Sequence, residues 1–231
     1  MGHTYIDTLQ LEVNNEMTPE IALSIFRYGN QNFVDNWIRR RNYRNEVRRT
    51  SNGQSPFAAI LSCIDSRVPA EIIFNLGLGD IFNIRIAGNF VNDDIMGSLE
   101  FAYTEGVKLI LVLGHTGCGA INAAITSCDC KSEEECSKNS EKLDNGKKCN
   151  YILPMIKKLC RAVCSNIEFK LEEDYKYKVT RKNVEISIED IRKKSTTCIG
   201  IAEKEGKIKI IGGIYDISKG KVSFFECLPK E

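Results

Sequence analysis

Three short apolar runs, each followed by a segment of helical pattern, constrain this chain more than any other feature. Phe57 to Ser62 reads as a buried strand, Pro69 to Leu76 as a helix, Asp80 to Ile86 as a second strand and Asp94 to Glu105 as a second helix. Val107 to Leu113 is a third apolar strand, and the small residues from Gly119 to Ile125 follow it as a helix. Runs that are apolar without alternation belong in strands covered on both faces. The β-α-β-α-β-α order therefore predicts an α/β fold with a central, mostly parallel sheet flanked by helices.

The flanking segments fit that frame. From Thr18 to Ile38 apolar residues recur at helical intervals behind a cap at Thr18 and Pro19 at the first helical position, and Gly29-Asn30 is expected to divide the segment into two helices. Asp35 to Arg49 carries six arginines against two acids, which reads as a solvated face or a subunit-contacting arm. Cys128 to Cys149 holds six acids and five lysines with almost no apolar residue, so it reads as an exposed insertion. Tyr151 to Val163 and Val184 to Lys194 read as helices, while the Lys-Tyr alternation of Asp174 to Thr180 is ambiguous. Lys207 to Gly213 is a strand, Asp216 to Gly220 a tight turn, and Lys221 to Phe225 an antiparallel return at a half-buried edge. The 231 residues suit one domain over 1–231, with an N-terminal arm over about 18–50 and a polar insertion over about 128–149.

Charge and hydropathy remove whole classes of function. With 32 basic and 31 acidic residues the formal charge is +1, which gives no whole-molecule field for nucleic acid or anionic lipid. The longest apolar stretches are far too short to span a membrane, and the first 20 residues lack a secretory pattern, so the expectation is a cytoplasmic protein with no nucleic-acid or membrane partner. Ten cysteines in a chain of this length are then expected as thiols and not as a disulfide scaffold; Cys160 and Cys164 share a helix face, which suits core packing.

Chemistry concentrates at strand ends. Cys63 follows the first strand, and His115 and Cys118 follow the third, 52 positions on from Cys63. Carboxyl ends of parallel strands open onto one crevice. Two thiolates and one imidazole meeting there make a Cys2His zinc set with one position left open, the catalytic pattern. Each piece alone reads as core packing, and a Cys-His nucleophile pair is the competing chemistry. Asp65 and Arg67 lie two and four residues beyond Cys63. An arginine fork on that carboxylate would keep it charged and fix its direction, either as a plain helix-terminal ion pair or as a dyad beside the metal.

With these residues on view, the chain resembles the beta-class carbonic anhydrase family. The match runs through Gly29-Asn30 with Phe33, Gln54 with Pro56, Cys63 to Pro69 with Glu71, Arg85 with Ala87-Gly88-Asn89, and Gly97 to Glu100. It continues through Gly114-His115 with Cys118-Gly119-Ala120, then Asn183-Val184, Gly213, Tyr215-Asp216 and Gly220. Departures are Ile64, where the family has Ser or Ala, Ala70, where it commonly has Pro, and Thr197-Cys198, where it has a Pro-hydrophobic pair; none removes a candidate site residue.

The resemblance implies a five-stranded sheet with four parallel strands and one antiparallel edge strand, and an N-terminal helical arm wrapped on a partner in an obligatory homodimer or multiple of dimers. It implies one Zn(2+) per chain on Cys63, His115 and Cys118, a catalytic dyad of Asp65 and Arg67, and Gln54 as donor to a substrate oxygen at the subunit interface. The implied reaction is reversible hydration of carbon dioxide to bicarbonate and a proton. Carbon disulfide or carbonyl sulfide hydrolysis on the same scaffold is the enzymatic alternative, and a non-catalytic zinc-binding assembly protein is the alternative of another class. With His115 on the metal and His3 remote in sequence, no histidine proton shuttle is expected.

Overall fold

The structure, a computed structural model, describes residues 17–37, 39–128 and 151–227. Thr18 accepts a hydrogen bond from the Ile21 N–H, Pro19 follows at the first helical position, and helix α1 runs Pro19–Val34. The expected division at Gly29-Asn30 does not occur. Helix α1 passes so close to the end of α3 (Ala70–Ile73) that a Cβ on residue 29 would lie 1.9 Å from the Phe74 carbonyl oxygen. Glycine permits that approach, and it does so within an unbroken helix. Asn30, 4% exposed, donates to the carbonyls of Ile73 and Gly220 and accepts the Val222 N–H. The Gly-Asn pair is thus a docking device and not a helix breaker.

Asn42 caps α2 (Tyr43–Thr50), which carries Tyr43 and Val47 into solvent, and Trp37 in the preceding segment is exposed as well. The remaining elements are β1 (Ala58–Ser62), β2 (Ile81–Arg85), α4 (Asp93–Thr104), β3 (Leu109–His115), α5 (Gly119–Ser127) and α6 (Ile152–Cys164). After a 3-10 turn at Ile167–Phe169 come α7 (Tyr175–Lys194), α8 (Ile199–Lys204), β4 (Lys209–Asp216) and β5 (Lys221–Phe225). The strand order is β2-β1-β3-β4-β5; β1 to β4 are parallel and β5 returns antiparallel on β4. This is the α/β sheet with one antiparallel edge strand that the sequence pattern anticipates.

Every residue of β1 and β3 is buried, because helices cover both sheet faces. On one face Phe26 of α1 stacks between Phe57 and Phe74, with ring centroids 5.4 and 4.7 Å away. On the other, Leu99 of α4, Val184 and Ile188 of α7 and Ile199 of α8 close over Leu61, Ile110 and Val112. Helices α5 and α6 pack together over the carboxyl end of the sheet through Ile121, Ala124, Ile156, Leu159 and Val163.

Local expectations shift in four places. The helix expected over Pro69 to Leu76 shrinks to Ala70–Ile73 because Asn75 takes a left-handed conformation, φ 52°. Tyr175–Lys194 is one helix of 20 residues: Tyr175 and Val179 are buried four positions apart, a helical interval that the Lys-Tyr alternation hides. Helix α8 was not legible. The strand expected over Lys207 to Gly213 runs instead over Lys209–Asp216 and is buried from Ile210 to Tyr215, while β5 is the half-buried edge as expected. Of the polar insertion, only Cys128 lies within the described residues, as does no part of the His3 region.

Candidate metal centre

The parallel register positions the donors. Ser62 pairs with Leu113, so Cys63 leaves β1 level with the end of β3, whose last residue is His115. Cys118 follows as the N-cap residue of α5. All three side chains are buried, their donor atoms lie within 4.8 Å of one another, and the two sulfurs are 3.9 Å apart. Two thiolates about 2.3 Å from one tetrahedral centre stand roughly 3.8 Å apart, so the pair has the right span for a shared cation.

The imidazole is aimed accordingly. Its Nδ1 lies 3.0 Å from the Thr116 carbonyl, an oxygen that can only accept, so Nδ1 carries the hydrogen and Nε2 presents its lone pair inward. Nε2 is buried with no hydrogen-bond partner among the described residues. An orphaned buried acceptor costs about 1–3 kcal/mol, and a cation between the sulfurs would remove that cost. The sulfurs share the same logic. The Cys118 S–H, helped by the Gly88 N–H at 3.3 Å, lowers the Cys63 thiol, while the Cys63 sulfur and burial raise Cys118. A bound divalent ion would displace the thiol protons from both sulfurs. The group could hold a metal and would leave one coordination position to something other than protein.

Asp65 and Arg67 meet at the rim of this group. Arg67 Nε donates to Asp65 Oδ1 at 2.9 Å, Nη2 donates to Oδ2 at 2.7 Å, and the Arg67 backbone N–H adds a third bond at 3.0 Å to Oδ1. The guanidinium bonds hold the Asp65 carboxyl well below the usual carboxylate range, and Asp65 in turn raises Arg67. Oδ2 is 3.9 Å from His115 Nε2, so the fixed carboxylate faces the place where the three donors converge. Arg67 Nη2 also reaches the Gly117 carbonyl, joining the two loops that carry the donors.

Gln54 is elsewhere. It is exposed, lining a surface cavity of about 370 Å³ with Thr50, Ser51, Gly53 and Gly79, and the chain does not bring it to the Cys-His group. Three supporting residues had no assigned role in the sequence. Arg85 donates to the Cys63 and Asp65 carbonyls, at 3.0 and 2.6 Å, and fixes the loop between them. Gly88, with φ +76°, turns its N–H onto Cys63 Sγ. Thr116 orients His115 through its carbonyl and is itself tied by its hydroxyl to the Ile217 N–H. The signal available for Arg85 and Gly88 was their place at the last residue of β2 and just beyond it, at the sheet end that also carries Cys63.

One expectation about cysteine is corrected. Cys128 and Cys160 form a disulfide, because the C-terminal end of α5 meets α6 with the two Cα atoms 6.0 Å apart, inside bridging range. Cys198 and Cys227 are thiols. Cys130, Cys136 and Cys149 lie outside the described residues.

With the site described, its relatives can be compared. The carbonic anhydrase family profile matches residues 58–222, from the start of β1 into β5. The chain belongs to the beta-class carbonic anhydrase family. Among proteins similar to it, carbonic anhydrase 2 of Mycobacterium tuberculosis is 54% identical over 76 residues, covering 32% of this chain and 37% of that protein. The matched segment therefore spans little more than a third of that relative. A carbonic anhydrase of Candida albicans is 28% identical over 222 residues, covering 91% of this chain and 70% of its own length. Beta-carbonic anhydrase structures share the fold. One from Aspergillus fumigatus superimposes with TM-score 0.64 at 21% identity, over 91% of this chain and 92% of its own. A Coccomyxa beta-carbonic anhydrase in complex with acetazolamide gives 0.61 at 22% identity, over 96% and 86%.

Proposed function

We propose that this chain catalyses reversible hydration of carbon dioxide to bicarbonate and a proton, using one zinc ion per chain held by Cys63, His115 and Cys118. The observation that carries the reading is the buried Cys-His-Cys donor set with an orphaned Nε2 facing a bidentately restrained carboxylate. Two soft thiolates and an imidazole favour zinc over hard cations. Zinc there would supply Lewis acidity that makes a water nucleophilic near neutral pH.

The protein's own groups do the rest. Asp65, kept ionised by Arg67, accepts the hydrogen of the attacking oxygen and aims its lone pair at the substrate carbon. Arg67 is the restraint that keeps the carboxylate pointing at the nucleophile and out of the open position. Gln54, remote from the donors of its own chain, is assigned to the neighbouring subunit's site, where its amide N–H stabilises charge growing on a substrate oxygen. That assignment requires at least a homodimer. It is supported by exposed Trp37, Tyr43 and Val47 on the arm, an apolar surface for a second copy to cover, and tetrameric beta-carbonic anhydrases from Sordaria macrospora share the fold, with TM-score 0.62. The chain acts as a single domain in this reading, with the arm as its dimer contact. Among the described residues no helix is long and apolar enough to cross a membrane.

The test is a substrate comparison on one zinc-loaded preparation, with carbon dioxide hydration followed by stopped flow and carbonyl sulfide hydrolysis by sulfide release. Hydration in large excess is expected. Preferential release of sulfide would move the chain to the alternative enzyme class, and inertness toward both with zinc bound would leave a non-catalytic zinc protein.

A further inference from the structure

The Cys128–Cys160 bridge is not used by the chemistry above, yet it lies against it. Cys128 caps the C-terminal end of α5, the helix whose N-cap is Cys118. Cys160 sits in α6 next to Leu159, whose methyl groups cover Gly88 so closely that a Cβ there would be 2.8 Å from Leu159 Cδ1. Gly88 in turn donates its N–H to Cys63 Sγ. Cys118 therefore begins the helix that the bridge fastens directly, while Cys63 is linked to the bridge indirectly, through the Gly88 turn that packs under Leu159 of α6. Cys63, Cys118, Cys128 and Cys160 belong to one continuous buried cluster.

We propose that Cys128 and Cys160 are a redox site coupled to the metal centre: bridged, they hold α6 against α5 and retain the ion; reduced, they let it go faster. The inference rests on the reading of Cys63, His115 and Cys118 as metal ligands. The reductant is a dithiol. Its thiolate attacks one sulfur of the bridge, the S–S bond breaks, and its second thiol resolves the mixed disulfide. Two electrons and two protons pass to the protein, leaving Cys128 and Cys160 as thiols and the dithiol as a disulfide. Both sulfurs are buried, Cys128 at 7% and Cys160 at 4% exposure, so reduction proceeds through local opening and is slower than for an exposed bridge.

What is lost on reduction is apposition and not a ligand. Without the bridge α6 is held by the packing of Ile121 and Ala124 on Ile156, Leu159 and Val163, by the Arg161–Asp190 ion pair to α7 and by Lys158 over the Phe90 ring, none of which fixes its distance from the end of α5 covalently. Groups that orient metal ligands change affinity by about 10–100-fold when removed.

The experiment has two readouts. Alkylation of the unfolded, unreduced chain followed by peptide mass mapping should find Cys128 and Cys160 joined; free thiols at both, or Cys160 joined to a different cysteine, overturns the proposal. Zinc release to a colorimetric chelator is then timed for the zinc-loaded wild type and for a Cys128→Ser/Cys160→Ser variant, which avoids chelation by an added dithiol. Release at least about 10-fold faster from the variant is expected. Equal release overturns the proposal while leaving the metal reading intact, whereas a wild type that never takes up zinc fails the metal reading itself. If the double variant does not fold, wild type reduced with a phosphine and then freed of it takes its place, and unchanged release from that protein is equally decisive.

Discussion

Replacing Asn30 by alanine should destabilise the protein by about 3 kcal/mol. The side chain bonds two carbonyls, of Ile73 and Gly220, and one N–H, of Val222, so it joins α1 to the end of α3 and to the β4–β5 hairpin. At a net value near 1 kcal/mol per bond the three together give about 3 kcal/mol, and the stranded Val222 N–H prevents the loss from being smaller. For a domain of this size that is a fall in Tm of about 6–12 °C. Urea unfolding at fixed chain concentration, so that association does not shift the midpoint, is the assay. Asn30→Asp gives an internal check. Its carboxyl can donate to a carbonyl only when protonated, so its folded pKa is raised above the unfolded value. The proton-bound form then carries the stability, which is present at acid pH and lost as pH rises through the folded pKa. The aspartate variant should therefore recover toward wild type on acidification while the alanine variant should not. An alanine variant within about 0.5 kcal/mol of wild type, or an aspartate variant that is equally stable at neutral pH, would refute the reasoning.

Asp65→Asn and Arg67→Ala should each lower carbon dioxide hydration at least about 100-fold while most zinc stays bound, since they change orientation and charge without deleting a donor; parallel loss of zinc would reassign them to structure. Charged substitutions at Tyr43 and Val47, exposed on α2, should weaken association and turnover together, and a fully active monomer in sedimentation would contradict the interface role of Gln54. Asp216, lowered to about 2 chiefly by the Ser218 hydroxyl, holds the β4–β5 turn as a carboxylate. Its folded pKa lies below its ordinary 3.8, so its contribution is full above that value and is lost as pH falls toward about 2. Asp216→Asn should accordingly flatten the dependence of the urea midpoint on acid below about pH 4, and an unchanged slope would remove the turn from the account.

The sheet was legible because β1 and β3 are apolar until their last residues, Ser62 and His115, and so declare themselves as covered strands. The donor set was legible for a related reason. Once those strands are parallel, Cys63 and His115 must emerge at the same end, whatever their separation in sequence. Gly29-Asn30 was misread because a glycine needed for close backbone approach looks, in sequence, like one needed for a turn. Tyr175–Lys194 was half missed because lysines interrupt its buried stripe, and α8 because six residues carry too little periodicity to register. The second layer of the site stayed hidden since Gly88 and Thr116 act through backbone atoms, which every residue possesses. The Cys128–Cys160 bridge depends on α5 meeting α6, a packing fact that spacing between cysteines does not encode.

The central claim joins metal and chemistry at one place, and a zinc titration of carbon dioxide hydration tests it most directly. Metal-free protein is loaded stepwise, zinc is quantified on the desalted protein, and initial rates are taken by stopped flow. Turnover should rise in proportion to bound zinc and level off at one ion per chain, while Cys118→Ser, made alongside, should neither retain zinc nor hydrate carbon dioxide. Turnover that is independent of zinc, or a Cys118→Ser variant with wild-type activity, would contradict the assignment of Cys63, His115 and Cys118 as the catalytic metal centre.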